Sequence, residues 1–226
     1  MEHSSKRHRE AVKQIDKEKV YDLKEAVALL QNTPKPKFDE TVELALNLHI
    51  DPKKSDQMVR GTVVLPHGSG KKVTVAVFCK GEHEAEAKEA GAEIVGAEDL
   101  MEKVSKGFLN FDCAISTPDM MRELSKLGKV LGPRGLMPSP KTGTVTTNIA
   151  QAIKEVKAGK VEFKSDKQAS IHLGIAKRSF ATEKIIENVK FVMEAIHNAK
   201  PSAVKGELIK GASLSTTMGP GIRVAL

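Results

Sequence analysis

Three hydrophobic patterns follow one another along the chain and divide it into a first, a middle and a last part. In Tyr21–Gln31 the apolar residues recur at helical spacing, which predicts an amphipathic helix. In Val42–Ile50 they alternate with residues that are polar apart from Ala45, which predicts a strand with one buried face, and Gly61–Leu65 predicts a second strand. The turn-forming run Pro66–Gly70 then predicts a domain boundary.

The middle part alternates short apolar runs with charged helical segments. This alternation predicts a parallel sheet covered by helices on both faces. The predicted strands are Val73–Cys79, Ile94–Val95 and Cys113–Ser116, and the predicted helices are His83–Ala90, Asp99–Lys106, Asp119–Leu127 and Asn148–Lys157.

The last part, after Gly159, returns to strands of antiparallel character around one amphipathic helix with Thr182 as its predicted N-cap. The first and last parts are each too small to form a core alone. We therefore predict one discontinuous α+β domain, 1–66 and 160–226, with a three-layer, Rossmann-like α/β domain, 67–159, inserted into it. Crossings near 66–70 and 159 would permit hinge motion. The strands predicted here are Lys160–Lys164, Ser170–Ala176, Glu207–Met218 and Gly221–Val224.

Composition and charge narrow the functional classes. The formal net charge is +7, and residues 160–226 carry 11 Lys and Arg against 6 Asp and Glu. This balance favours an anionic partner such as nucleic acid. Cys79 and Cys113 have no partner at metal or redox spacing, which predicts free thiols in a reducing cytosol. No signal peptide or membrane span is expected, so the predicted location is cytoplasmic.

One long stretch lacks acidic residues altogether, from Leu124 to Lys154. Its glycines and prolines predict that most of it is irregular and exposed, and its cations suit a phosphate backbone. A solvated surface loop with ordinary lysines is the alternative interpretation. The cations that we expect to make secondary RNA contacts are Lys126, Lys129, Arg134 and Lys141.

Catalytic and cofactor motifs are not found. Gly68–Lys72 resembles a phosphate loop, but Leu65 and Lys72 occupy positions where that loop needs glycine and a hydroxyl residue. No dinucleotide-binding glycine pattern follows Val73–Cys79, and no histidine has metal-ligand spacing. We therefore predict no enzyme, cofactor or metal. The alternative that remains is a nucleotide- or dinucleotide-dependent enzyme built on the middle domain.

The run Ser215–Pro220 (STTMGP) is a second candidate for RNA contact. Its hydroxyls can bond a ribose 2′-OH, its glycine allows close approach, and its methionine can pack on a sugar or base. Taken alone, such a run is more often a strand-to-turn junction. Lys167 and the N-terminal cluster Lys6–Arg9 are expected near phosphates.

Several segments resemble the ribosomal protein L-one family of the large-subunit stalk, in the order and spacing of that family. The segments are FDETVE (Phe38–Glu43), IDPKKSDQMVRGTVVLPHGSGK (Ile50–Lys71), KLGKVLGPRGLMPSPKTGTV (Lys126–Val145), VKAGKVEF (Val156–Phe163) and STTMGP. The chain departs from the usual pattern at His8 and Ser139. The resemblance covers the chain almost from end to end and implies the same inserted-domain layout.

The resemblance also implies a function and a site. It implies a constituent of the large ribosomal subunit that binds stalk ribosomal RNA, assists release of deacylated tRNA from the exit site and represses its own operon mRNA. The expected partners are those RNAs, and the free protein is expected to be a monomer. The expected RNA-binding residues are Phe38, Lys37, Thr41, Lys167, Ser215, Thr217, Met218 and Gly219.

Overall fold

The computed structural model describes residues 5–16, 18–81, 83–204 and 206–225. The chain divides into two compact units. Unit 1 comprises residues 1–70 and 161–226, and unit 2 comprises residues 71–160. Within the described ranges, no helix is both long enough and apolar enough to cross a membrane.

Helices and strands are numbered separately in chain order. The helices are α1 Lys6–Lys13, α2 Leu23–Asn32, α3 His83–Glu89, α4 Glu98–Ser105, α5 Met121–Leu124, α6 Gly128–Leu131, α7 Ile149–Ala158 and α8 Thr182–Asn198. The strands are β1 Thr41–Leu48, β2 Arg60–Val64, β3 Val75–Phe78, β4 Ile94–Gly96, β5 Cys113–Ser116, β6 Lys160–Lys164, β7 Ser170–Lys177, β8 Ile209–Thr216 and β9 Ile222–Val224.

Unit 1 is built on a four-stranded sheet in the order β7-β1-β8-β9, in which β1 pairs antiparallel with both β7 and β8. The alternation of apolar residues in β1 buries one face of the strand, as predicted. Its residues Val42, Leu44, Leu46 and Leu48 are buried in a core that also contains the apolar stripes of α2 and α8. The intervening residues of β1 lie on the opposite face, which is polar and built largely from small side chains.

The strand register defines two ends of this sheet. At one end Thr41 lies opposite Lys177 of β7, and Val42 lies opposite Thr216 of β8. At the other end Asn47 lies opposite Ser170. Asn47 follows Thr41 by six residue steps along the strand, so the two ends are about 20 Å apart.

Unit 2 contains a three-stranded parallel sheet in the order β4-β3-β5. Ala76 and Phe78 of β3 face a core with α4 and α5, whereas Val75 and Val77 face a second core with α3 and α7. The predicted parallel sheet covered on both faces is therefore confirmed.

Burial raises the pKa of the Cys79 thiol to about 11, and neither Cys79 nor Cys113 forms a disulfide.

The expectation that Leu124–Val145 is mostly irregular and exposed is wrong for Leu124–Arg134, whereas Gly135–Ser139 forms neither helix nor strand. Short helical turns run almost continuously from Pro118 to Arg134 and replace the single helix expected over Asp119–Leu127. Gly128 and Gly132 adopt helical dihedral angles, and a Cβ added at either position would meet no atom within 4 Å. Leu124, Leu127 and Leu131 are buried in the core of unit 2, and this burial outweighs the weak helix propensity of glycine.

The expected N-cap of the long helix is also wrong by one position. Ala181 occupies the cap position and contributes no side-chain hydrogen bond. The Thr182 hydroxyl instead donates to Oε1 of Gln31, at 2.9 Å, and so ties the start of α8 to the end of α2. The Thr182 hydroxyl, which the local sequence predicts as a helix cap, is therefore used in a tertiary contact with Gln31 instead.

Candidate nucleic-acid interface

Five of the predicted contact residues meet at the end of the unit 1 sheet where β1 begins. We call Phe38, Thr41, Thr217, Met218 and Gly219 the sheet-end cluster. The Thr41 amide donates to Oγ1 of Thr217 at 3.0 Å, and the Thr217 amide donates to the Thr41 carbonyl at 3.1 Å. The threonine hydroxyl therefore extends the β1–β8 ladder by one step beyond Thr216. Ser215, opposite Glu43, lies on the polar face just inside this end.

Two large apolar side chains of the cluster lie in solvent. Phe38 is 53% exposed and Met218 is 52% exposed. Phe38 follows the exposed Lys37 in the segment between α2 and β1, and Met218 follows the last residue pair of the β1–β8 ladder. Exposed apolar groups of this size beside cations and hydroxyls are typical of a surface on which bases or sugars pack.

The turn at Gly219 has no room for a side chain. The Gly219 amide donates to the Thr216 carbonyl at 2.9 Å, and a Cβ added at Gly219 would lie 2.3 Å from Oγ1 of Thr216. Thr216 is only 2% exposed, and its hydroxyl has no hydrogen-bond partner among the described residues. Gly219 does not have a positive φ, so space and not backbone conformation requires a glycine.

We expect Gly219→Ala to displace the turn and to weaken RNA binding about 10-fold, because the new methyl group overlaps Thr216 Oγ1. Thr216→Ala removes that atom, so Gly219→Ala/Thr216→Ala should bind within about threefold of the Thr216→Ala variant alone. RNA titrations of the four proteins in this cycle measure the coupling. If the affinity losses of Gly219→Ala and Thr216→Ala simply add, the overlap of the new methyl group with Thr216 Oγ1 does not cause the weaker RNA binding.

A buried ion pair lies behind the cluster. Arg178 Nη1 contacts Glu40 Oε2 at 2.5 Å, and the two side chains are 5% and 2% exposed. The other carboxylate oxygen, Glu40 Oε1, accepts a hydrogen bond from the Met218 amide at 3.1 Å. Arg178 Nη2 donates to the carbonyl of Gln31 at 3.1 Å and to the carbonyl and hydroxyl of Thr33. No local sequence pattern indicates this pair, since its members are 138 positions apart.

Lys177 is a further cation at the cluster that sequence reasoning missed. Its Nζ donates to Oγ1 of Thr41 at 3.0 Å and to the Asp39 carbonyl at 3.5 Å. Among the described carboxylates none forms an ion pair with it, so its charge is available to an anion. Only the pairing of β1 with β7 brings Lys177 here, and that register could not be read from the local pattern.

Lys167 does not lie with the cluster. It is exposed on the turn between β6 and β7, at the Asn47 end of the sheet. The Asp166 carboxylate accepts hydrogen bonds from the amides of Ser170, at 2.7 Å, and Gln168, at 2.8 Å. These bonds, the one from Ser170 first, lower the pKa of Asp166. The turn is thus well defined, and it presents Lys167 about one strand length from Thr217.

The predicted secondary contacts lie in unit 2. Lys126, Lys129, Arg134 and Lys141 are all exposed. Lys126 and Lys129 project from helical turns whose leucines are buried, so their backbone positions are fixed. Arg134 and Lys141 lie in the short helical turns Gly132–Arg134 and Pro140–Thr142. A hydroxyl network holds the neighbouring loop, in which the Ser139 amide donates to Thr144 Oγ1 at 2.8 Å. This surface carries positive charge on an ordered framework.

The carboxyl edge of the parallel sheet in unit 2 does not suit a nucleotide. Ligands of such sheets bind where the strand order reverses, which here is the end of β3. Lys80 follows that strand, and its ammonium is shared between Glu123, at 3.0 Å, and Glu98, at 3.3 Å. Both carboxylates raise the pKa of Lys80 and would repel a pyrophosphate. In the described part of the chain, no three His, Cys, Asp or Glu residues are grouped as metal ligands.

Comparison with known proteins agrees with this picture. The profile of the ribosomal protein L1p/L10e family matches residues 29–220. The chain is 57% identical over 219 residues to "Large ribosomal subunit protein uL1" of Solidesulfovibrio magneticus, which covers 97% of this chain and 93% of the relative. Proteins of the same name from Thermosipho melanesiensis and Thermosipho africanus are each 56% identical over 221 residues, covering 97% of this chain and 95% of the relative.

These matches decide between the two classes of function considered from the sequence. The family consists of structural, non-enzymatic ribosomal proteins, so the enzyme on the middle domain is excluded. The predicted cytoplasmic, ribosomal localisation is confirmed on the same ground. The profile match and the end-to-end identity show that the chain belongs to the ribosomal protein L1p/L10e family.

Proposed function

We propose that this protein is a constituent of the large ribosomal subunit that binds ribosomal RNA of the mobile stalk chiefly through the sheet-end cluster of unit 1. The observation that carries the proposal is the pair of half-exposed apolar side chains, Phe38 and Met218, on a framework of backbone and hydroxyl hydrogen bonds. Lys37 and Lys177 supply positive charge beside them, Thr41 and Ser215 supply hydroxyls, and Gly219 permits close approach.

The wider organisation belongs to the same proposal. A discontinuous domain, 1–66 and 160–226, binds the RNA, and the inserted domain, 67–159, adds weaker contacts and moves about crossings near 66–70 and 159. Lys167 contacts phosphate at the far end of the same sheet, with the Lys6–Arg9 helix as a further basic element. We assign the main RNA contact to the discontinuous domain because residues 160–226 hold most of the excess of cations.

A titration of the full chain against fragments of large-subunit ribosomal RNA tests this function. We expect one fragment to bind with an affinity at least about 1000-fold above that for unrelated RNA of equal length. The affinity should fall with salt, with a slope of about 0.7–0.9 for each phosphate neutralised. Equal affinity for all RNAs would contradict specific recognition.

We expect the unit 2 cations to add affinity but not specificity. Replacing Lys126, Lys129, Arg134 and Lys141 together by glutamine should lower the salt slope by no more than about 3.6, since each phosphate contact contributes about 0.7–0.9. The ratio of specific to nonspecific affinity should stay within about threefold of wild type. A collapse of that ratio would place sequence recognition in unit 2.

Two finer activities rest on the same RNA-binding surface. We include in the proposal the assisted release of deacylated tRNA from the exit site and the repression of the protein's own operon mRNA. Repression requires the mRNA leader to occupy the sheet-end cluster, so leader and ribosomal RNA should compete, and each should lower the affinity for the other by the same factor. The free protein is proposed to be a monomer, which sedimentation measures directly.

A further inference from the structure

The ion pair between Glu40 and Arg178 joins four segments of unit 1 at one point. Glu40 directly precedes β1, and Arg178 directly follows β7. Through its Nη2 hydrogen bonds Arg178 also holds the last turn of α2, and through Oε1 Glu40 holds the amide of Met218. A single guanidinium–carboxylate unit therefore connects the ends of α2 and β7, the start of β1 and the turn after β8.

The segment that carries Phe38 is tied by this unit at both ends. Thr33, before the segment, accepts hydrogen bonds from Arg178 Nη2, and Glu40, after it, pairs with Nη1. Ser179 adds a second link, because its hydroxyl donates to Asp39 Oδ2 at 2.8 Å and its amide to Oδ1 at 3.2 Å. Phe38 is thus an exposed ring on a short loop whose two ends cannot separate.

The same carboxylate fixes Met218. The two oxygens of Glu40 have different partners, one the guanidinium and the other the Met218 amide. Rotation of the carboxylate to improve one contact would weaken the other. The backbone positions that carry Phe38 and Met218 are therefore set relative to each other through one buried group, although the two residues lie 180 positions apart in the sequence.

The pair is poorly optimised for stability. Arg178 Nε is buried without a hydrogen-bond partner in the described residues, as is the nearby Thr216 hydroxyl. A buried ion pair must offset the desolvation of both charges, and an apolar pair of similar volume often stabilises a protein as well or better. A costly charged pair is better explained by the geometry that it imposes than by the free energy that it contributes.

We propose that Glu40 and Arg178 are positioning residues that preorganise Phe38 and Met218 for RNA. Neither touches the RNA, since both are buried; they act by holding the two exposed side chains at a fixed spacing before binding. A preorganised surface loses less loop and side-chain entropy on binding, and this smaller entropic cost makes the binding free energy more favourable. The inference rests on the proposed function, because it assumes that the sheet-end cluster is the RNA-binding surface.

Charge-conserving substitutions test this in the full-length protein. Glu40→Asp shortens the side chain and moves the carboxylate away from the Met218 amide. Arg178→Lys replaces the two guanidinium nitrogens that bond Glu40 and Thr33 by a single ammonium nitrogen, which cannot reach both partners. Each is expected to weaken specific RNA binding about 10-fold, with an unchanged salt slope because no phosphate contact is lost. The amide of Met218 should exchange its hydrogen about 10-fold faster in the free variants than in wild type.

The chain offers a matched control in the ion pair of Arg60 and Glu162, which joins β2 to β6 at 2.7 Å. Arg60→Lys and Glu162→Asp should leave RNA affinity and Met218 exchange unchanged. Unaltered affinity in Glu40→Asp and Arg178→Lys, or unaltered Met218 exchange, overturns the inference. If wild-type protein shows no preference for ribosomal RNA, the proposed function fails separately, and the exchange measurement on free protein still decides whether the pair positions the turn.

Discussion

Replacing Met218 by aspartate is expected to abolish specific binding of ribosomal RNA while the protein remains folded. Met218 is 52% exposed and follows the end of β8, so the fold loses little packing. In the complex, the new carboxylate would face phosphates and would be desolvated without a partner. That costs several kcal/mol, or an affinity loss of about 1000-fold. The RNA titration and thermal unfolding of the free variant measure the two effects.

Met58 provides the matched control for this experiment. It is a methionine of the same unit, 47% exposed, and Met58→Asp changes the net charge by the same amount. We expect Met58→Asp to alter RNA affinity by less than about threefold, the size of a long-range charge effect at moderate salt. Comparable losses in both variants would mean that net charge and not the position of Met218 governs binding. A large fall in the melting temperature of Met218→Asp would make this residue part of the core.

The sequence was sufficient to predict the helices and strands that are determined by the spacing of their own apolar residues. The alternation in β1 and the stripe of α8 are direct consequences of burying one face, so both appear where the periodicity placed them. The apolar run Val73–Cys79 likewise became the central strand of the parallel sheet. In each case the residues that determine the element lie within one helix or strand.

Local reasoning failed where distant residues decide the outcome. Gly128 and Gly132 suggested an irregular segment, yet the buried side chains of Leu127 and Leu131 hold helical turns there. The residues of the sheet-end cluster could be selected by their chemistry and by family resemblance. Glu40, Lys177 and Arg178, which lie beside and behind the cluster, could not, because strand pairings that no local pattern encodes bring them there.

The largest effect on stability is expected from Glu40→Gln. Glutamine keeps the length of the side chain and an oxygen for the Met218 amide, but it leaves the Arg178 guanidinium buried without a counter-charge. Removing one partner of a buried pair costs about 3–5 kcal/mol of unfolding free energy. Glu162→Gln, in the more exposed pair with Arg60, should cost about 1 kcal/mol or less.

Urea unfolding followed by tyrosine fluorescence measures this loss in unit 1 alone. The chain has one tyrosine and no tryptophan, and Tyr21 is 7% exposed in the unit 1 core. The double variant Glu40→Gln/Arg178→Met should recover most of the lost stability, because it removes the lone charge and keeps an apolar side chain of similar length. Equal losses in the single and double variants would show that the guanidinium hydrogen bonds to Gln31 and Thr33, and not its charge balance with Glu40, stabilise this end of the sheet.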